Sequence, residues 1–193
     1  MKIRSFLAFE LPLEIKGVVA RVSDELRQST LDAKWVKSDN IHLTVVFMGN
    51  IETDDIPAVG EEAKKVCLNH GAFDISLNGM GCFPNTRKPR VIWLGLDGDL
   101  ERMSCFRDAL QERLIPFGIK GEKRRFKPHL TLGRFRRPKR MDSEGLELLS
   151  GYEDLTSPVC PLKELAFFKS DLKPGGARYT RLDVYPLSGR DDP

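Results

Sequence analysis

The stretch IHLTVVFM at residues 41–48 decides the fold, because its tripeptide His-Leu-Thr returns in KPHLTLGR at residues 127–134. The 193-residue chain has only three histidines, and two of them, His42 and His129, open this tripeptide. Short motifs recur by chance, but a repeat that uses two of three histidines is a much rarer coincidence than one copy. We therefore interpret the two copies as halves of one functional site.

Both copies alternate polar and apolar residues like a half-buried strand. In a strand, residues two positions apart point to the same face, about 7 Å from each other. The histidine and threonine of each copy therefore share one face: His42 with Thr44, and His129 with Thr131. If the two strands lie side by side, two imidazoles and two hydroxyls converge on a space suited to one phosphate. The hydroxyls can bind its oxygens while the histidines flank the attacking and leaving groups.

Histidine suits acid–base chemistry because its pKa near 6.5 lets a neutral ring accept a proton while a charged ring donates one. In the alternative interpretation, each His-Thr pair only stiffens its strand. A metal site is disfavoured, because zinc usually takes three or four His, Cys or carboxylate ligands and the partner here is threonine. The G-x-S-x-G elbow of serine hydrolases is absent from the sequence. The third histidine, His70, is interpreted as structural because it stands at a predicted helix end.

Outward from the two tripeptides, strands and helices are predicted to alternate at short intervals. Hydrophobic periodicity predicts helices at residues 13–27, 55–69, 99–114 and 143–150. It predicts strands at residues 3–10, 41–48, 73–77, 90–96, 126–134, 162–169 and 178–185, with an extended segment opening at 35–36. The order strand, helix, His-Leu-Thr strand is echoed faintly in the second half. We expect one α+β domain over residues 1–193, with mostly antiparallel sheets flanked by helices, and the echo suggests two pseudo-symmetric lobes.

Composition is that of a soluble globular protein, with 40 % hydrophobic and 31 % charged residues. No stretch approaches the run of about 20 apolar residues that spans a bilayer, and acids interrupt the apolar N-terminal segment before any signal-peptide cleavage site. We therefore expect a cytoplasmic protein without a membrane partner. The four cysteines have no paired spacing and are expected to be reduced and structural. The polar segment 188–193 is expected to be a flexible tail.

Positive charge is concentrated in residues 120–140. This segment carries ten Lys and Arg residues against one acid, Glu122. Such a local excess indicates a polyanionic partner, although a solvated charged face is the simpler alternative. Phe126 and Phe135 are interleaved with the cations, a pattern that suits an RNA strand, because cations contact phosphates and aromatic rings stack on bases.

Several further segments carry a resemblance to a known family. They are FLAFELP at 6–12, WVKSDNIHLTVVFMG at 35–49, FPNTRKPRVIWLG at 83–95, KPHLTLGR at 127–134 and SDLKPGGARYTRL at 170–182. With the paired tripeptides, they resemble the two-histidine phosphoesterases, and within these the RNA 2',3'-cyclic phosphodiesterase branch (2'-5' RNA ligase, LigT-like). The similarity runs over nearly the whole chain in the family's order. It implies a bilobal α+β fold with the two motifs facing each other across a central cleft.

The resemblance also implies a reaction and roles for named residues. The reaction is hydrolysis of an RNA 2',3'-cyclic phosphate to a 2'-phosphate, with neither metal nor cofactor. His42 is implied as the general acid on the leaving 3' oxygen, and His129 as the base that activates water. Thr44 and Thr131 are implied to hold the phosphate. The fifth residue after each histidine also falls on a family site position. Phe47 is implied to stack on the terminal base or ribose, with a core aromatic as the alternative. Arg134 is implied to stabilise the charge that develops on the phosphorane.

Alternatives to this function remain open from the sequence. A 2'-5' RNA ligase runs the same transesterification backwards, with a 5'-hydroxyl in place of water. A binding module for RNA or nucleotides needs the cleft but no turnover, and retention of both histidines speaks against it. The expected partner is RNA with a 2',3'-cyclic phosphate end, tRNA fragments among the substrates, and a small cyclic phosphate is a further option. The protein is expected to be a monomer.

Overall fold

The computed structural model describes residues 1–122, 124–137, 139–174 and 176–189. Its helices are α1 (Leu13–Arg27), α2 (Ile56–Leu68), α3 (Leu100–Leu114) and α4 (Ser143–Ser150). Its strands are β1 (Lys2–Phe9), β2 (Ala33–Trp35), β3 (Leu43–Glu52), β4 (Phe73–Phe83), β5 (Val91–Gly98), β6 (His129–Phe135), β7 (Cys160–Leu162), β8 (Glu164–Lys173) and β9 (Gly176–Pro186). None of the helices in the described ranges is long and apolar enough to cross a membrane.

One curled antiparallel sheet contains all of these strands. Their order is β7-β4-β5-β6-β3-β1-β8-β9, with β2 paired to β6. Strands β3 and β6 meet at a single residue pair, Leu43 opposite Leu130, whereas β1 and β8 pair over four residues and β8 and β9 over ten. This narrow junction divides the sheet into two halves, so the predicted two-lobed α+β fold is confirmed.

The helices cover the outer face of the curled sheet. Helix α1 is buried along one stripe, Ile15, Val19, Val22 and Leu26, whose spacing of three to four residues is that of an amphipathic helix. Helices α2 and α3 pack on each other, and α2 also packs on β9. Phe106 of α3 lies against Phe9 of β1 and Phe73 of β4, at ring-centroid distances of 5.9 and 5.3 Å. The larger of the two apolar clusters among the described residues draws on strands of both halves of the sheet, and the smaller one consists of Phe6, Ala8, Ala166 and Phe168.

Several boundaries differ from the predicted ones. Strand β6 begins at His129 rather than residue 126, because Pro128 has no N–H to donate to a neighbouring strand. Strand β4 continues to Phe83 rather than ending at residue 77, since it keeps pairing with β5 across a register shift. Strand β7 is not among the predicted strands: its three residues, with Pro161 in the middle, are too few to show a period.

The C-terminal segment is held at its start. The backbone N–H of Ser188 donates to Cys67 O, and that of Gly189 donates to His70 O. These two residues of the predicted tail are therefore tied to the end of α2, and residues 190–193 lie outside the described residues. The four cysteines are free in the structure: Cys67 and Cys160 are buried, whereas Cys105 on α3 is exposed.

Candidate active site

The six residues predicted from the sequence line one cavity at the junction of the two sheet halves. The Leu43–Leu130 pair sets the two tripeptides side by side, so both histidines and both threonines reach the same space. The cavity has a volume of about 170 Å³ and is lined, among others, by His42, Thr44, Phe47, His129, Thr131 and Arg134. It is smaller than the roughly 300–1,000 Å³ pockets that enclose drug-sized ligands. A cavity of this size suits a phosphate with its adjoining sugar.

A bulge in each strand explains why the fifth residue after each histidine faces the cavity. In a regular strand, residues five apart point to opposite faces. Strand β3 skips Val45 in its pairing with β1, and β6 skips Leu132 in its pairing with β5. One extra residue reverses the alternation of the faces. Phe47 and Arg134 therefore return to the face of the histidines, at equivalent places in the two strands.

The two histidine rings are anchored in the same way. Nδ1 of His42 lies 2.8 Å from Asn40 O, and Nδ1 of His129 lies 2.8 Å from Lys127 O. A carbonyl oxygen can only accept, so Nδ1 carries the proton in both rings. In the neutral form, Nε2 is then left with its lone pair free for a proton. Each ring can therefore exchange a proton at Nε2 with a ligand in the cavity.

Aromatic rings hold the two imidazoles in place. His42 is stacked on Phe6 at a centroid distance of 4.7 Å and an interplanar angle of 18°, and Tyr179 meets it edge-on at 5.2 Å. His129 meets Phe83 edge-on at 5.0 Å. Packing of this kind fixes ring orientation and removes water from the ring faces.

Burial acts on the two histidines alike, whereas the neighbouring charges act on them in opposite directions. Burial lowers the pKa of both His42 and His129 below the usual 6.5, and the hydrogen bonds to backbone carbonyls oppose this. The negative charge of Glu10 also raises the pKa of His42, whereas the positive charge of Arg134 lowers the pKa of His129. The neighbouring charges therefore favour a protonated His42 and a neutral His129.

The cavity also contains residues that the sequence reasoning missed, notably Arg4, Ser170 and Tyr179. The sequence did contain a signal for Arg4, because a cation within an otherwise apolar strand is expected to point away from the core. Its guanidinium lies 4.4 Å from the centre of the Phe47 ring. Phe47 is 49 % exposed, which does not fit the alternative of a core aromatic. Ser170 and Tyr179 face each other across the β8–β9 hairpin, in a segment that carries no tripeptide motif.

His70 lies away from this cavity. Its Nδ1 lies 2.8 Å from Val66 O at the end of α2, and its ring meets Phe106 edge-on at 5.0 Å. These contacts tie the helix end to α3. Within the described ranges, no three His, Cys, Asp or Glu side chains are grouped so that they could hold a metal ion.

The chain belongs to the 2'-5' RNA ligase superfamily, whose family model matches residues 16–174. A relative from Methanothermobacter thermautotrophicus, named RNA 2',3'-cyclic phosphodiesterase, is 30 % identical over 192 residues, covering 97 % of this chain and 100 % of the relative. A relative of the same name from Methanocaldococcus jannaschii is 30 % identical over 178 residues, covering 91 % and 96 %.

Solved structures show the same fold. A Thermus thermophilus protein superimposes with a TM-score of 0.81 at 25 % identity, covering 97 % of this chain and 99 % of that one. Escherichia coli LigT complexed with 3'-AMP superimposes with a TM-score of 0.75 at 21 % identity, with the same coverage. The second likeness, at this identity, concerns the fold alone.

Proposed function

We propose that this chain hydrolyses RNA 2',3'-cyclic phosphate ends to 2'-phosphomonoesters, with His42 and His129 as general acid and base and without a metal ion. The observation that carries the proposal is the pair of Nδ1-anchored imidazoles, which share one small cavity with two threonine hydroxyls. Membership of the superfamily and relatives named RNA 2',3'-cyclic phosphodiesterase over nearly the full chain support the substrate class.

The proposed reaction is an in-line displacement at phosphorus. Nε2 of neutral His129 takes a proton from water as the water oxygen bonds to phosphorus. The bond from phosphorus to O3' breaks, and Nε2 of protonated His42 gives its proton to O3'. The product is a 2'-phosphomonoester with a free 3'-hydroxyl. The charges of Glu10 and Arg134 support this division of roles, because they favour the protonated form of His42 and the neutral form of His129.

The remaining polar groups of the cavity suit the charge that develops on phosphorus. We assign the hydroxyls of Thr44 and Thr131 to the non-bridging oxygens. The guanidiniums of Arg134 and Arg4 supply positive charge from the two sheet halves. Donors placed where charge develops in a transition state lower its energy more than that of the ground state. Phe47, under Arg4, offers an exposed ring to the terminal ribose or base.

A monomer acting in the cytoplasm on RNA ends, tRNA fragments among them, completes the proposal.

The test is an assay on a short RNA with a 2',3'-cyclic phosphate end, using protein treated with EDTA and then dialysed. The expected result is full turnover to an end that carries phosphate on O2', identified by phosphorus NMR. Loss of turnover in EDTA with recovery on adding a divalent metal would overturn the metal-free mechanism. Joining to an added 5'-hydroxyl RNA in preference to hydrolysis would establish the ligase instead.

A further inference from the structure

A second, larger groove opens from the catalytic cavity. Its volume is about 1,050 Å³, and it shares Thr44, Phe47, His129 and Arg134 with the cavity but not His42. It runs past the β4–β5 loop, helix α3 and the described residues 120–122 and 124–127. On the side of His42, the cavity is bounded by Phe6 and Tyr179. The groove therefore continues the site in one direction, away from His42.

The charge of this groove is strongly positive. The acidic residue among those described along it is Glu122, whose side chain lies 4.0 Å from Arg124. Arg107 in its lining is buried, whereas six other cations described along it are exposed and available to a ligand: Arg90, Lys120, Arg124, Arg125, Lys127 and Arg134. Half of the predicted basic segment thus borders one concave surface instead of being scattered over a solvated face. An array of this kind binds a chain of phosphates.

Apolar side chains lie between the cations. Phe83, Val91 and Phe126 line the same groove. Phe126 is fixed from behind by the buried Arg107, whose guanidinium lies 5.1 Å from the ring centre and donates to Arg124 O. Aromatic rings between phosphate-binding cations are the usual combination for unpaired nucleotides, because every base can stack on a ring.

We propose that this basic groove binds the single-stranded RNA that precedes the cyclic phosphate on its 5' side. The inference rests on the proposed function, since it takes the cyclic phosphate to be in the cavity. Continuity with the cavity puts the terminal nucleotide at one end of the groove. The enzyme then recognises an RNA end by two separable surfaces: the cavity reads the cyclic phosphate, and the groove holds the preceding nucleotides without reading their sequence.

The test compares two substrates, a nucleoside 2',3'-cyclic phosphate, which reaches only the cavity, and a single-stranded oligonucleotide with the same end. The variant K120Q/R125Q removes two exposed cations that line the groove and lie outside the cavity. The matched control is K16Q/K64Q, two exposed cations on α1 and α2 that line neither the cavity nor the groove. Steady-state kinetics are measured over a series of salt concentrations.

For K120Q/R125Q we expect kcat/KM on the oligonucleotide to fall roughly tenfold relative to kcat/KM on the cyclic nucleotide. This is the effect expected when two exposed charge contacts with the RNA are lost. The slope of log(kcat/KM) on the oligonucleotide against log salt concentration should become less negative by about 0.7 for each phosphate contact removed. The control should leave the ratio of the two substrates unchanged. An equal fall on both substrates, or no fall on either, overturns the groove proposal. If the unmodified protein turns over neither substrate, the proposed function itself fails.

Discussion

At the scale of single residues, the two histidines are held alike but have neighbours of opposite charge. Both donate Nδ1–H to the carbonyl two residues earlier, so both present Nε2 for proton transfer. Glu10 acts on His42 and Arg134 acts on His129, with opposite effects on pKa. Neighbours that lie outside the tripeptides therefore make the two nearly symmetric motifs electrostatically different, which is the basis of the roles that we propose for them.

Removal of either imidazole should abolish most of the activity. His42→Ala and His129→Ala are each expected to lower kcat by about 10²–10⁴-fold, the contribution of one general acid or base. His70→Ala is the matched control: it should leave kcat near that of the unmodified protein and lower stability by about 1–2 kcal/mol, through the lost hydrogen bond and aromatic contact. Turnover assays and urea denaturation give the two quantities. If His70→Ala proves to be the damaging change for kcat, the site is misplaced.

The charges beside the histidines make the pH dependence testable. Because burial lowers the pKa of both rings below 6.5, kcat/KM is expected to peak on the acid side of pH 6.5. Arg134→Gln removes a positive charge and should raise the pKa of His129. Glu10→Gln removes a negative charge and should lower the pKa of His42. NMR titration of the ring protons measures each pKa separately, and shifts in the opposite directions would refute the assignment of acid and base.

At the scale of elements, the bulges in β3 and β6 complete the site. The period of a strand correctly placed each histidine and threonine on one face, because those residues precede the bulge. The same period puts the fifth residue on the wrong face, and only the family resemblance pointed to Phe47 and Arg134. A bulge is created by the pairing with a neighbouring strand, so it leaves no signature in the strand's own sequence. Arg4, Ser170 and Tyr179 were missed for another reason: they reach the cavity from β1, β8 and β9, which carry no His-Leu-Thr tripeptide.

The segment leading into β6 depends on a buried arginine of α3. Arg107 donates to Arg124 O, pairs with Asp108 at 2.6 Å and lies over Phe126, while its own side chain is 7 % exposed. Arg107→Leu is expected to lower the free energy of unfolding by about 1.5–3 kcal/mol, the cost of a hydrogen bond to a charged group. The control is Arg113→Leu. The Arg113 side chain is 59 % exposed and pairs with Glu62, so its loss should lower the free energy of unfolding by less than about 1 kcal/mol. Equal losses in urea denaturation would contradict this role for Arg107.

At the scale of the molecule, the cavity lies where the two sheet halves meet at one residue pair, so each half contributes part of its lining. Helix periodicity and strand alternation were enough to predict most elements, since each is a local pattern. The two lobes were predicted from the echoed order of elements around the two tripeptides and from the family resemblance. The order of the strands was not predictable, because β8 and β9 join β1 from the far end of the chain. Leu43 and Leu130, one from each tripeptide, both belong to the larger apolar cluster, so the two tripeptides are anchored in the same packed core.

The junction itself provides the last prediction. Leu130 in β6 is fully buried and pairs with Leu43 in β3, whereas Leu165 in β8 is equally buried but lies two strands away from β3. Leu130→Ala and Leu165→Ala should each lower the free energy of unfolding by about 2–5 kcal/mol, since each leaves a cavity in a packed core. Only Leu130→Ala should also lower kcat well below the melting transition, because relaxation there changes the spacing of His42 and His129. Urea denaturation and kcat, measured at a temperature where both variants stay folded, separate the two effects. A similar fall of kcat in both variants would mean that the site responds to overall stability rather than to the junction.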